Sequence, residues 1–221
     1  MKRFVIMAAL LAVFSCDAKM TSRGHKETEI TAKSWIVSSE GQIIQGKNTT
    51  EIRSIASITK LVTVMVFLDA MKFTSKADHE LIQRAIVSSD NRASDKLCDR
   101  YPGGRTDCVF MMNLKAKELG LTNTKFIEPT GLSVFNVSNA EELVKIVEEA
   151  SKYPEIVKAS HTSKSNTNPL IGKYDLSVSK TGFIRASGGC IVMMAGNKIV
   201  VLLGSKNTRT RIPEAEKLLR L

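Results

Sequence analysis

A chain of 221 residues and 24.3 kDa has room for one well-buried domain, and a composition of 43% hydrophobic and 24% charged residues carries no signature of disorder. Its formal charge of +10 favours anionic polymers and lipid headgroups as surroundings. The basic residues are scattered and aromatics make up only 5%, which argues against nucleic acid as a partner.

In chain order, Lys2 and Arg3 precede an apolar run over residues 4–14, followed by small and polar residues. That run is too short to span a bilayer and reads as the core of a secretory signal over residues 1–18. A polar leader over 19–33 and a single domain over 34–221 follow. Two processing routes fit. Cleavage after Cys16-Asp17-Ala18 starts the mature chain at Lys19. Alternatively, Val13-Phe14-Ser15-Cys16 acts as a lipoprotein-type box that leaves Cys16 lipidated and anchored to a membrane, although Phe14 is bulky for such a box. Either route predicts an exported protein, periplasmic or attached to the cell envelope.

Trp35-Ile36-Val37 and Gln42-Ile43-Ile44 flank Glu40-Gly41, a hairpin signal. An apolar run over 58–71 is of helical length, a polar break covers 74–78, and helices are expected over 80–87 and beyond Asn91. Another helix is expected over 111–119, stopped by Gly120. Pro129-Thr130-Gly131 reads as a turn. Ser138 with Glu141 has the form of a capping box opening a helix to about Ala150. Residues 161–168 read as loop, strands as 175–179, 189–195 and 198–204, and 214–221 as a closing helix. Strands at both ends with helices between them predict an α+β domain whose antiparallel sheet joins N- and C-terminal segments.

Cys98 and Cys108 flank the turn Tyr101-Pro102-Gly103-Gly104, so an oxidising compartment favours a local disulfide between them. Cys190 lies in an apolar segment and is expected as a buried free thiol. No Cys/His spacing suggests a metal, and no cofactor motif is present.

Three strings in one order carry the chemistry: Ser57-x-x-Lys60, Ser89-Asp90-Asn91 and Lys180-Thr181-Gly182. Each alone is weak. A Ser-x-x-Lys is also what a helix cap with a solvated lysine looks like, a Ser-x-Asn fits an interhelical turn, and a Lys-Thr-Gly fits the end of a strand. Ser177-x-x-Lys180 and Ser205-Lys206-Asn207 even duplicate two of the strings, but neither completes the ordered set. Geometry separates the serines. At a helix start, Ser57 and Lys60 share a face, whereas residues three apart in a strand point to opposite faces. Serine needs a base, and lysine serves only with a depressed pKa, from burial or from a neighbouring charge such as Lys180. His25, His79 and His161 lie outside the strings, so a Ser-His-Asp triad is not supported.

The strings with their flanks resemble the low-molecular-mass penicillin-binding proteins, and within them the D-alanyl-D-alanine endopeptidase (penicillin-binding protein 7) group. The likeness is carried by Arg53-Ser54-Ile55-Ala56-Ser57-Ile58-Thr59-Lys60-Leu61, Ser88-Ser89-Asp90-Asn91-Arg92-Ala93, Tyr101-Pro102-Gly103-Gly104, Glu128-Pro129-Thr130-Gly131-Leu132-Ser133 and Ser179-Lys180-Thr181-Gly182-Phe183. It implies an antiparallel sheet packed on helices beside a helical lobe. It implies Ser57 as nucleophile, Lys60 as general base, Ser89 as proton relay and Asn91 as an orienting amide. Lys180, Thr181 and Gly182 would bind substrate, and the backbone N–H groups of Ser57 and Phe183 would form the oxyanion hole. The implied partners are peptidoglycan stem peptides, with β-lactams trapped as inhibitors.

Between Ser57 and Ser89 this chain is much shorter than the family pattern, which predicts an altered cleft wall. Two rivals follow. A β-lactamase would need a deacylating glutamate in a Glu-x-x-x-Asn string, and Glu128 is followed at that spacing by Leu132. A catalytically inactive peptidoglycan-binding protein is the other.

Overall fold

The computed structural model describes residues 29–71 and 73–221. The expected signal over 1–18, Cys16 and most of the leader lie outside the described residues. The elements form an antiparallel five-stranded sheet in the order β2-β1-β7-β6-β5, built from β1 (Ser34–Ser39), β2 (Gln42–Lys47), β5 (Val178–Ile184), β6 (Gly188–Ala195) and β7 (Lys198–Ser205). The sheet therefore does join the two ends of the chain. The β1–β2 hairpin turns through Glu40 and Gly41 at φ 53° and 75°, the positive pair that a two-residue hairpin loop needs.

The central strand explains its own sequence. Ile199-Val200-Val201-Leu202-Leu203 is buried throughout, with Val201 and Leu203 facing one core and Val200 and Leu202 the other. One core holds the helices α1 (Thr59–Ala70), α2 (Lys76–Ile86), α3 (Asn91–Asp99), α4 (Gly104–Glu118), α5 (Ala140–Ala150) and α6 (Pro154–Ser160). The other is covered by α7 (Arg211–Leu219) through Ala215, Leu218 and Leu219. Helix α1 is mostly apolar because it runs through the middle of the larger core, with Leu61, Val62, Val64, Met65, Val66 and Phe67 all buried and Asp69 exposed near its end.

Several boundaries differ from the sequence expectation for identifiable reasons. The polar break at 74–78 is the N-terminus of α2, where Ser75 and Asp78 form a capping box. Helix α4 begins seven residues earlier than its apolar pattern suggests, directly after the Gly103 turn. The cap of α5 is Asn139, which accepts from the Glu142 N–H, while Ser138 sits in the short strand β4 (Val137–Ser138) paired with β3 (Arg53–Ser54). Strand β5 starts at Val178 and runs to Ile184, so Lys180-Thr181-Gly182 lies inside a strand rather than at its end. Cys98 and Cys108 are joined in a disulfide, and Cys190 is a buried free thiol.

Candidate active site

Ser57 lies in a single 3-10 turn, Ala56–Ile58, which leads into α1, and Lys60 is the second residue of that helix. The Lys60 side chain is fully buried, 0% exposed. Its Nζ lies 2.8 Å from Ser57 Oγ and 2.8 Å from Asn91 Oδ1, and makes a short contact to the Thr130 carbonyl oxygen. A neutral amine has two N–H donors and one lone pair. The two carbonyl oxygens can only accept, so they take the donors and leave the lone pair facing the Ser57 hydroxyl. Burial lowers the Lys60 pKa to about 8, working against the nearby carboxylates of Glu128, Asp95 and Asp90, which raise it.

Asp90 caps α3 by accepting from the Ala93 N–H and pairs with Arg84, so the middle residue of the second string is structural. That cap fixes the flanking residues: Asn91 opens the helix and Ser89 stands before it at φ 58°, strained for a non-glycine residue. Lys180, 1% exposed, donates from Nζ to Ser89 Oγ at 2.9 Å and to the Thr181 carbonyl at 2.8 Å. Burial first, then the positive charges of Lys60 and Arg211, push its pKa well down. Each string thus meets another: Lys60 reaches Asn91, and Lys180 reaches Ser89.

Gly182 has a reason that the sequence did not reveal. A Cβ there would lie 2.9 Å from the Ser57 backbone nitrogen and 3.0 Å from Ala56 Cβ. Strand β5 is packed against the nucleophile turn itself, and only glycine fits. The result is an open cleft of about 270 Å³ lined by Ser57, Ser89, Asn91, Thr181, Gly182 and Phe183, with Leu132, Thr167, Thr208 and Arg211. Ser177 is elsewhere, its hydroxyl turned to the Met194 carbonyl. His79 and His161 are exposed, bonded to Ser75 and Asp175, and neither lines the cleft.

Sequence reasoning missed three participants. Arg211 is buried at 8% exposure and donates from Nη1 to the Gly182 carbonyl, while its Nε has no partner among the described residues. The Thr130 carbonyl holds Lys60, within a stretch that the sequence showed as a turn and as part of the family likeness but to which it gave no role at the base. Asn136 ties that stretch together, its Nδ2 donating to Thr59 Oγ1 and to the Glu128 carbonyl.

The family model for peptidase S11, D-alanyl-D-alanine carboxypeptidase, matches residues 20–79 and 74–206. The chain belongs to this family. It is 35% identical over 205 residues to a D-alanyl-D-alanine endopeptidase of Escherichia coli, covering 73% of this chain and 66% of that one. It is 32% identical over 210 residues to one of Pseudomonas aeruginosa, covering 76% and 68%. The chain thus spans about two thirds of the length of these relatives. Among solved structures, penicillin-binding protein D2 of Listeria monocytogenes in its ampicillin-bound form superposes with a TM-score of 0.77 at 26% identity, covering 87% of this chain and 97% of that one. The Streptomyces K15 DD-transpeptidase, at 23% identity and a TM-score of 0.78 with the same coverage, shares the fold. Peptidase S11 members are serine D-Ala-D-Ala peptidases of the cell envelope.

The family match divides at residues 74–79, where α1 passes into α2. This junction is at the far end of α1 from Ser57, roughly 18 Å away for a helix of this length. The short connection therefore removes nothing that holds the nucleophile, and α2 still delivers Ser89 into the cleft.

Proposed function

We propose that this chain is a serine DD-peptidase that hydrolyses D-alanyl peptide bonds of peptidoglycan through an acyl-enzyme on Ser57. The observation that carries the reading is the position of Lys60 Nζ, fixed by the Asn91 and Thr130 oxygens and directed at Ser57 Oγ. In the first step Lys60 takes the Ser57 proton as Oγ attacks the D-Ala carbonyl carbon. The oxyanion is received by the backbone N–H groups of Ser57 and Phe183. The tetrahedral species collapses to an ester on Ser57 as the leaving amine takes the proton that Lys60 had accepted, relayed through Ser89, which Lys180 holds in place; Lys60 is neutral again. Water then attacks the ester, with Lys60 again accepting the proton, and releases the shortened peptide.

Substrates of this class carry a carboxylate next to the leaving nitrogen. Thr181 and Arg211 are placed to bind it, because both line the cleft and the Arg211 guanidinium brings a positive charge to its wall. The relatives at 35% and 32% identity favour cleavage of cross-links over removal of a terminal D-Ala. A β-lactamase reading gains nothing from Glu128, whose carboxylate is occupied by hydrogen bonds from its own loop. We further propose export through a signal over residues 1–18, ending at Ala18 or, with lipidation, before Cys16.

The test is labelling and digestion. Ser57→Ala should abolish covalent labelling by a fluorescent penicillin and Ser177→Ala should not; a labelled Ser57→Ala protein sinks the assignment. Digestion of purified cross-linked muropeptides, read by mass, should convert dimers to monomers. Loss of a single alanine instead would make the enzyme a carboxypeptidase.

A further inference from the structure

We infer that Glu128 is a positioning residue for the general base: its carboxylate folds the 128–136 loop so that the Thr130 carbonyl holds Lys60 against Ser57. The inference rests on the serine-peptidase reading and goes beyond it, since neither the three strings nor the chemistry of a lysine base assigns this residue.

The geometry is a carboxylate used as a template for a loop. Glu128 Oε2 accepts from the Thr130 N–H at 2.7 Å and the Thr130 hydroxyl at 2.6 Å. Oε1 accepts from the Gly131 N–H at 2.6 Å, the Ser133 N–H at 3.2 Å and Asn136 Nδ2 at 3.0 Å. Successive backbone amides are thus gathered around one charged group, which fixes the direction of the intervening Thr130 carbonyl. The same loop is clamped onto the nucleophile turn. Gly131, at φ 84°, lies so close to the Ala56 carbonyl that a Cβ would be 1.9 Å from its oxygen. The Asn136 carbonyl accepts from the Ile55 N–H, and its side chain reaches Thr59. The path from Glu128 to the reacting pair therefore runs through Thr130 to Lys60, and through Gly131 and Asn136 to the residues either side of Ser57.

Charge adds a second effect. The charged groups that face Lys60 are Glu128 from this loop, Asp90 and Asp95 from α3, and Lys180 from β5. Asp90 pairs with Arg84 and Asp95 with Arg105. Glu128 makes no direct ion pair among the described residues, although Arg105 feels its charge, and of the three carboxylates it raises the Lys60 pKa most. It keeps the amine more easily protonated, and its removal should make Lys60 a weaker base that is neutral at lower pH.

The experiment compares wild type, Glu128→Gln and Glu128→Asp by the acylation rate constant with fluorescent penicillin across pH 5.5 to 10, taken as roughly the range over which a lysine of depressed pKa titrates. Thermal unfolding is measured on each. Glu128→Gln is expected to lower the high-pH plateau at least tenfold, as expected when a reacting group loses its fixed geometry, and to move the acid limb to lower pH. Glu128→Asp keeps the charge, so its limb should stay while its plateau falls. A plateau within about threefold of wild type in both variants overturns the inference, as does a Glu128→Gln profile lowered at every pH with its midpoint unmoved. If Glu128→Gln does not fold, Glu128→Asp decides: a lowered plateau with an unmoved limb supports the role, and a full plateau removes it. Wild type that takes no label at all would instead defeat the peptidase reading itself.

Discussion

Gly182→Ala is the substitution that most directly tests how the cleft is built. Gly182 does not have a positive φ, so alanine is compatible with its backbone and the question is one of space alone. The added Cβ would lie 2.9 Å from Ser57 N, 3.0 Å from Ala56 Cβ and 3.1 Å from the Ile55 carbonyl oxygen, against an ordinary contact that begins at 3.4 Å. Two of the three are backbone atoms, so no side chain can swing aside. The strand and the nucleophile turn must separate by about half an ångström, at an overpacking cost of about 1–3 kcal/mol. For a domain of this size that lowers Tm by about 2–12 °C. The kinetic cost should be larger in proportion, because the separation moves the Ser57 and Phe183 N–H groups apart and pulls Lys180 from Ser89. A displacement approaching 1 Å at a reacting centre costs on the order of 100-fold, so acylation by penicillin should fall about 10- to 100-fold. Ala56→Gly in the same chain removes one of the three clashing atoms and should restore part of the rate. The assay is stopped-flow acylation beside a thermal melt. A Gly182→Ala protein that acylates within about threefold of wild type would show that β5 does not constrain the nucleophile, and the reasoning fails.

Other consequences can be measured on the same protein. Lys60 acts as a base only when neutral, and its pKa is lowered to about 8, so the acylation rate should climb about tenfold per pH unit below 8 and level above it; a rate that is flat from pH 6 to 8 removes lysine from the role. Arg211→Ala should raise KM for carboxylate-bearing substrates far more than it changes kcat, whereas equal losses in both would place Arg211 in structure rather than binding. The Cys98–Cys108 disulfide closes a ten-residue separation, worth about 2–3 kcal/mol. Cys98→Ala with Cys108→Ala should therefore lower Tm by about 4–12 °C while leaving acylation intact, and an unchanged melt would contradict it. Glu216 is held down to about 2 from 4.5 by hydrogen bonds from Lys173 first and Tyr174 next. Because its pKa is depressed in the folded state, the stabilisation is present above pH 4.5 and disappears as pH falls through about 2. Glu216→Gln should be less stable than wild type at pH 6 and converge with it near pH 2, as followed by urea unfolding.

What the sequence made legible follows from how local each feature is. Ser57 and Lys60 are one helical turn apart, so spacing alone puts them on a common face, and the structure has them 2.8 Å apart. The hairpin through Glu40-Gly41 and the largely apolar run of α1 are likewise written in adjacent residues. The contacts that join the strings span 31 residues from Lys60 to Asn91 and 91 from Lys180 to Ser89, and their order, not their spacing, hinted at them. Arg211 is 29 residues from the Gly182 carbonyl that it binds, in a segment whose pattern shows only a helix packing on a sheet. The Glu128 loop was opaque for another reason. Its contribution to Lys60 is a backbone carbonyl, which every residue type supplies, so no side chain announces it.

The short link between α1 and α2 shows why the cleft survives a change that the sequence made to look threatening. A helix transmits position along its axis, but Ser57 and Lys60 are held at its N-terminal end by β5, by Asn91 and by the 128–136 loop. At its other end α1 needs only to hand the chain to α2, which Ser75 and Asp78 cap independently. Helix α2 then ends at Ile86, three residues before Ser89, whose neighbours are the Asp90 cap, the Arg84 carbonyl and the Lys180 amine rather than anything near residue 74. Shortening or lengthening that link should therefore alter stability and the shape of the distal surface while leaving the acylation rate with penicillin unchanged. Inserting a flexible Gly-Ser pair between Ser75 and Thr74 tests it: a lower Tm with an intact rate is the expected result, and a lost rate would mean that the distal end of α1 governs the nucleophile after all.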